Sequence, residues 1–581
     1  MVPDAAPFSP FALRVLRERY LRRDEGGRVV EDAGQMLARV ACAVAAPAAD
    51  FGQDRAEWEA RFAGRMQRLE FLPNSPTLMN AGVPGGQLAA CFVLPIEDDL
   101  DAIFTALSRM ARIHQSGGGT GFAFSHLRPR ADHVRSTGGV TSGPLSFMDL
   151  FDQATAVIRE GGRRRGANMA VLRVDHPDIR EFVDAKGTPG RLENFNLSVG
   201  VTDAFLDAVD AGAGFPLLNP RTGKVTARID ARALFDAIVH AAWNTGDPGL
   251  LFLDEINRHS PTPTLGSIEA TNPCGEQPLL PYESCVLGSL NLVAFADGDA
   301  LAWDRFGEAI RDAVVFLDNV LEVTCHPFPE IARATRQTRK VGLGVMGLAD
   351  LLARLGIPYD SDAALTLAER IAVFLSTTAR ASSAELGQRR GSFPAFRGSV
   401  WPARGYTALR NATTTCVAPT GTISLFAGVS SGIEPFYALA VARRGLDDSW
   451  FVEVHPQVAD AVVALGEPSA GVFDALRDTG TLPAGPSIPD ALRRRFPIAL
   501  QIAPAMHVRM QAAFQRHVDA AVSKTVNLPA DATPDTVREV FELARASCLK
   551  GITVYRYGSR PGQTLSLVHD MRGHECRECA V

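Results

Sequence analysis

Residues 271–291 read TNPCGEQPLLPYESCVLGSLN. Five of them, Asn272 to Glu276, hold an amide, a thiol and a carboxylate, and a second thiol, Cys285, follows eleven residues after Cys274. Pro273 fixes its own backbone and Gly275 tolerates any, so the pair predicts a tight turn that lifts the Cys274 sulfur clear of the chain. Asn272 then offers both a donor and an acceptor, and Glu276 a proton acceptor suited to general-base work. A buried loop cysteine beside a capping asparagine would carry the same letters. What the loop means therefore depends on its company.

The chain has 581 residues, 46% hydrophobic and 21% charged, with a net charge of -6, as in an ordinary soluble globular protein. Such a balance gives no reason to expect a nucleic acid polymer or an anionic membrane as partner. Nine cysteines in so long a chain do not make a disulfide scaffold. No basic-then-apolar leader and no bilayer-length apolar run is visible, so a reducing cytoplasm is expected, where a disulfide is catalytic rather than structural.

Outward from the loop, residues 10–70 repeat apolar side chains at helical spacing and predict an N-terminal helical domain, residues 1–70. AACFVLP reads as a buried strand holding Cys91, a position where cysteine is most often a small hydrophobe. An acid-started helix follows, stopped by GGGTG (117–121), which suits either a phosphate cradle or close backbone packing. SFMDLFDQATAVIREGG predicts a helix ending in glycines, and Arg163, Arg164 and Arg165 follow in a basic loop. Residues 194–260 predict strand, acidic helix, loop and helix. RKVGLGVMGLAD runs into a further helix, and residues 364–390 form another. APTGTIS places Thr420, Gly421, Thr422, Ile423 and Ser424 in a hydroxyl-and-amide turn that suits phosphate or an ordinary Ser/Thr turn. The Pro/Gly-rich stretch 466–490 suggests an insertion, and helices are expected at 505–525 and 534–550. Together these predict one large α/β unit over 71–560 and a tail, 561–581, that carries Cys576 and Cys579.

SPTLMNAG, ACFVLP, GGGTGF, GGRRRGANM, NPCGE with its second cysteine, RKVGLGVMGLAD, APTGTIS and GITVYR, in this order, resemble the catalytic chain of ribonucleotide reductases, most of all the adenosylcobalamin-dependent class II enzymes. The resemblance spans nearly the whole chain. It implies a ten-stranded α/β barrel of two five-stranded parallel halves set antiparallel, with a finger loop bringing a radical cysteine inside. By that resemblance Cys274 is the thiyl that takes the ribose 3′ hydrogen. Glu276 is the base on the 3′ hydroxyl and Asn272 the amide that holds the ribose. Cys91 and Cys285 are the pair that reduces the 2′ position and ends as a disulfide. The chemistry asks for the same set: a hydrogen-atom acceptor, a proton acceptor and two thiols. The disulfide is re-reduced by thiol exchange, for which Cys576 and Cys579 are the expected shuttle to a thioredoxin or glutaredoxin dithiol. A half zinc site is the other reading of that CxxC; no metal is expected.

The resemblance further implies substrate contacts at Ser75, Ala90, Gly119 and Thr420–Ser424. It also implies a dNTP or ATP specificity effector held by Asp98, Arg128, Arg164 and Arg165, and a homodimer built on the helices near 99–114 and 145–160. Diphosphate substrates are expected from PTGTIS. Several departures bear on class. Tyr555 is followed by Arg556, so the two-tyrosine relay of class I chains lacks its second member. The chain starts at the helical domain, so no ATP cone and no dATP shut-off are expected. Tyr557 stands where relatives carry an acid. The rival readings are a class I-type large subunit, a non-catalytic nucleotide-binding homologue, and a thiol enzyme using Cys274 with His259.

Overall fold

The structure, a computed structural model, describes residues 8–134, 138–160, 164–444, 450–466, 469–486 and 488–560. Cys576, Cys579 and Arg163 lie outside them. Three helices open the chain: α1 (Pro10–Arg19), α2 (Ala33–Ala45) and α3 (Arg55–Gln67). Each begins where a short polar side chain takes up orphan backbone donors: Ser9, the Asp32/Gln35 capping box, and Asp54.

The first half of the barrel is β1 (Cys91–Leu94), β2 (Gly119–Ala123), β3 (Asn168–Arg173), β4 (Phe195–Val201) and β5 (Gly249–Phe252). Every neighbouring pair among these five is parallel. The second half contains β6 (Ser284–Asn291), β7 (Val341–Met346), β8 (Thr525–Leu528) and β9 (Gly551–Arg556), with β6 parallel to β7 and β8 parallel to β9. The stretch 413–417 is the tenth stave, joined by the single parallel bridges Leu343↔Thr415 and Val417↔Val522. The halves meet antiparallel at two seams, β1 with β6 and β5 with β9, each only two residue pairs long. This is the architecture the resemblance implied. Strands such as β7 are buried at every residue, so they read as apolar runs rather than as alternation.

Outside the barrel run α4 (Leu100–Gln115), α5 (Pro144–Val157), α6 (Trp303–Val323) and α7 (Asp362–Arg390). Asp318 of α6, fully buried, ties several of these segments together. Its carboxylate meets Arg339 at 2.6 Å, Arg390 at 3.0 Å and Arg410 at 3.3 Å. Burial alone would raise that carboxyl, but three guanidiniums outweigh it and hold it below the usual range.

Four expectations change in detail. α5 stops at Val157, because the residues beyond it enter a small hairpin, Arg159–Glu160 against Arg164–Arg165. The supposed loop after the acidic helix is a hairpin, Gly214–Leu218 against Val225–Asp230. The helix expected over 505–525 spans Pro504–Gln515, since the residues after it must return to the barrel wall as Val522 and β8. The stretch around 466–490 includes the helix Ser469–Thr479.

A third hairpin fills the barrel: Ala270–Thr271 pairs with Pro278–Leu279. The wall makes room for it with glycine. A Cβ on Gly121 would lie 1.7 Å from the Thr271 carbonyl oxygen, and one on Gly119 would lie 2.8 Å from Pro273. GGGTG is therefore a packing device at these positions. Gly121→Ala is expected to destabilise the protein by about 1–3 kcal/mol and to abolish turnover while the far-UV spectrum stays wild-type. Denaturant melts and an activity assay check this, and wild-type values in both would exclude a seated hairpin.

Candidate active site

The hairpin tip is held from both halves of the barrel. Gly275 N–H donates to the Asn272 carbonyl at 3.1 Å, and Gly275 itself sits at φ +83°, the left-handed turn expected of it. Asn272 N–H reaches the Gln277 carbonyl at 3.2 Å, and the Asn272 side-chain oxygen accepts from Gln277 N–H at 2.9 Å. From the first half, the Asn196 amide donates to the Pro273 carbonyl at 2.8 Å. From the second, Ala521 N–H donates to the Glu276 carbonyl at 2.9 Å. The outcome is a sulfur on display: Cys274 is exposed, while Asn272 and Glu276 are each only 2% exposed.

Cys91 and Cys285 are partners across the β1/β6 seam. Antiparallel partners have Cα atoms about 4.5–5.5 Å apart, inside the window for a disulfide. The Asn272 amide donates to the Cys91 sulfur at 3.2 Å, and that sulfur lies 3.9 Å from a Glu276 carboxylate oxygen. The Cys285 sulfur rests 3.6 Å from the Lys340 carbonyl. Three of the residues singled out in the loop thus converge with a thiol from 181 positions upstream of Asn272. Burial, and then the neighbouring Glu276 carboxylate, push the Cys91 thiol well above its ordinary range. Cys285 is pushed the same way by burial and by Cys416, against a smaller opposing pull from Lys340.

The turn Thr420–Ser424 opens a short helix, α8 (Gly421–Ala427). Thr420 stands at φ +54°, and its hydroxyl accepts from Gly432 N–H at 2.7 Å. A Cβ on Gly421 would meet nothing within 4 Å, so the backbone there faces open space, with Thr422 half-buried and Ile423 buried beside it. The Ser424 hydroxyl lies 3.1 Å from that of Ser431. Ser75 begins the helix Ser75–Asn80, and its hydroxyl is 2.7 Å from the Tyr20 hydroxyl, while the Tyr20 ring packs edge-on against Phe426 of α8 at 4.9 Å. The helical domain therefore reaches the same corner. Ala90 links the seam to β2: its N–H donates to the Cys285 carbonyl and its carbonyl accepts from Gly119 N–H at 2.8 Å.

The expected effector residues lie apart from this cluster in their bonding. Asp98 and Arg128 pair with each other at 2.7 Å. Arg164 and Arg165 form one strand of the small hairpin next to α5. His259, the partner of the thiol-enzyme reading, is engaged by Glu255 of its own helix at 2.9 Å. Among the described residues no group of three acidic, histidine or cysteine side chains could hold a metal ion.

Sequence reasoning missed Asn196, Gln277 and Cys416. Cys416 is fully buried; it lies 2.7 Å from the point where a Gly342 Cβ would stand, and Gln277 crowds the same point at 2.5 Å. The one available signal was the glycine spacing of VGLGVM, which marks a strand approached closely by something.

With the geometry in view, the relatives fall into place. The chain matches the family models described as "Ribonucleotide reductase, barrel domain" over residues 89–555 and "Ribonucleotide reductase, all-alpha domain" over residues 6–86. The chain belongs to the ribonucleotide reductase family. It is similar to a vitamin B12-dependent ribonucleoside-diphosphate reductase of Mycobacterium tuberculosis (strain CDC 1551 / Oshkosh), 54% identical over 568 residues, covering 97% of this chain and 82% of that one. A protein of the same name from Thermoplasma acidophilum is 44% identical over 613 residues, covering 96% and 80%. Among solved structures, the Actinobacillus ureae class Id ribonucleotide reductase alpha subunit superposes with a TM-score of 0.78 at 22% identity, covering 95% of this chain and 97% of that one, a likeness of fold.

The thiol environments predict an order of reactivity. Of Cys91, Cys274, Cys285 and Cys416, only Cys274 is exposed, and thiolate rather than thiol reacts with alkylators. At pH 8, iodoacetamide is expected to label Cys274 first. Labelling of the other three should lag until the pH is well above the ordinary thiol value of 9.0, because their raised values leave less thiolate at any given pH. Peptide mass spectrometry reads the order, and equal rates would contradict the burial described.

Proposed function

We propose that this chain reduces ribonucleoside diphosphates to 2′-deoxyribonucleotides by a thiyl-radical route that depends on adenosylcobalamin, supplying DNA precursors in the cytoplasm. The observation that carries this is the pairing of Cys91 with Cys285 across the seam, directly beneath a finger that presents Cys274, Asn272 and Glu276. The names of the relatives support the cofactor and the diphosphate substrate. The surroundings of Cys274 fit a large group: the sulfur is exposed, and a Cβ on the adjoining Gly275 would meet nothing within 4 Å. Adenosylcobalamin held there would supply the radical chemistry that Cys274 needs.

The chain's own groups do the rest. Cys274 loses its hydrogen atom and, as thiyl, takes the ribose 3′ hydrogen. Glu276 accepts the 3′ hydroxyl proton, with Asn272 holding the ribose hydroxyls. The 2′ hydroxyl leaves as water with a proton from one thiol of the pair, the pair's other hydrogen goes to C2′ as the two sulfurs give up two electrons and join as a disulfide, Glu276 returns its proton to the 3′ oxygen, and Cys274 returns the hydrogen to C3′. Thr420–Ser424 grip the substrate phosphates, with Ser75, Ala90 and Gly119 lining the approach. Cys576 and Cys579 return the electrons from a thioredoxin-like dithiol.

A homodimer and a nucleotide effector belong to the same proposal. Exposed apolar side chains on α4 (Leu100 and Phe104, 60% and 50% exposed) and on α5 (Leu150 and Val157, 36% and 81%) support pairing of two copies on this face. Asp98, Arg128, Arg164 and Arg165 are the proposed effector contacts beside it. No helix among the described residues is long and apolar enough to cross a membrane.

The test is CDP and ADP reduction with and without adenosylcobalamin and dithiol. Product is expected only with both. Cys274→Ser should remove all product. Cys91→Ser and Cys285→Ser should each lower multiple-turnover rates by at least about 10³-fold, the scale on which loss of a reacting group acts. A chain that forms no deoxynucleotide with cofactor present, or keeps its rate without Cys91, does not work this way.

A further inference from the structure

The loop that follows α8 backs the phosphate turn and has no chemistry of its own. Ser431 bonds Ser424, and Gly432 N–H donates to the Thr420 hydroxyl at 2.7 Å. That second bond matters because Thr420 sits at φ +54°, a conformation a threonine keeps only when its surroundings enforce it. The loop in turn is held by two carboxylates, Asp350 buried and Glu434 half-buried. Asp350, 1% exposed, accepts Ser430 N–H at 2.7 Å, and Glu434 accepts Thr525 N–H at 2.7 Å and the Lys524 ammonium at 2.6 Å.

What stands against Asp350 comes from the segment between the barrel's tenth stave and β8. His455 follows the hairpin Ala440–Arg444/Trp450–Val454 and precedes the helix Pro456–Val463. Its ring nitrogen Nε2 stands 2.9 Å from the second Asp350 oxygen, its backbone N–H donates to the Leu439 carbonyl at 2.9 Å, and its ring packs edge-on against Phe436 at 4.9 Å. The contacts form one line: His455 to Asp350, Asp350 to Ser430, and the Ser430–Gly432 loop to Thr420 and Ser424.

We propose that Asp350 and His455 are positioning residues for the substrate's phosphate group, fixing the turn Thr420–Ser424 from behind. The proposal rests on the reading of that turn as the phosphate grip. Neither residue touches substrate. Their loss lets the return loop shift and lets Thr420 relax, which weakens binding while the thiols and Glu276 stay where they are.

The experiment measures KM and kcat for CDP, with melting temperature, in holoenzyme carrying His455→Ala, His455→Gln, Asp350→Asn or Ser424→Ala. His455→Ala is expected to raise KM about tenfold as Asp350 loses the ring that stands against it, with kcat within about twofold. His455→Gln, whose amide can still reach Asp350, should recover most of that. Asp350→Asn keeps an acceptor for Ser430 but loses the charge, so an intermediate rise is expected, and it decides the matter should His455→Ala not fold. A lower melting temperature with unchanged KM in the His455 and Asp350 variants would make the pair a structural tie only and overturn the proposal. Ser424→Ala separates the two layers: a raised KM there with none at His455 sinks only the positioning role, while unchanged KM in Ser424→Ala removes the phosphate reading beneath it.

Discussion

A barrel interior is a poor place for a hairpin, because a turn brings polar backbone where no wall strand is ready to pair with it. Everything around Ala270–Leu279 answers that problem. Gly119, Gly121 and Gly342 remove side chains from the wall, so that hairpin backbone, Pro273 and Gln277 can press against it. Asn196 and the Ala521 amide then satisfy the Pro273 and Glu276 carbonyls. The tip is thereby fixed by one bond from each half of the barrel, and a reactive sulfur is held rigidly without being buried. Lose the glycines and the finger has no seat; lose the two donors and it has no reason to stay.

The same enclosure sets the electrostatics. Burial keeps Cys91, Cys285 and Cys416 protonated by raising all three, which for Cys91 and Cys285 suits the hydrogen-donating role proposed for them. Several charges that the interior accepts are matched by an opposite one. Lys340 meets Glu283 at 2.6 Å just behind Cys285, and the remaining Glu283 oxygen takes the Thr338 hydroxyl at 2.7 Å. Asp318 with its three arginines does likewise on the outer layer. Breaking one member of such a set leaves the others buried and unmatched, which costs more than the pair contributes.

Much of this was legible beforehand, and for a physical reason. The loop 271–291 concentrates residue types that a structural turn does not need, and β-strands with both faces covered announce themselves as apolar runs. The turn at Pro273–Gly275 and the strand at Cys91 followed from local rules alone. What stayed hidden was anything decided across distance: that what Gly119 and Gly121 pack against is a hairpin 150 residues later, or that Asn196 and Gln277 complete the finger. Cys416 looks like any small hydrophobe until the fold sets it beside Gly342. The hairpin at 214–230 was missed because its second strand, Val225–Asp230, is largely exposed and lacks an apolar face to alternate. The helix forecast past Gln515 failed because the chain is drawn to the barrel edge by Val417.

The seams between the halves are the thinnest parts of the wall, each spanning two residue pairs, and one of them is the cysteine pair itself. A disulfide at Cys91 and Cys285 would therefore add a covalent rivet at a joint otherwise closed by a few hydrogen bonds. Oxidation would stiffen the vessel and reduction would slacken it. In the proposed reaction the redox state of two sulfurs would thus become a mechanical property of the whole barrel, closed at this joint when oxidised and freed when reduced.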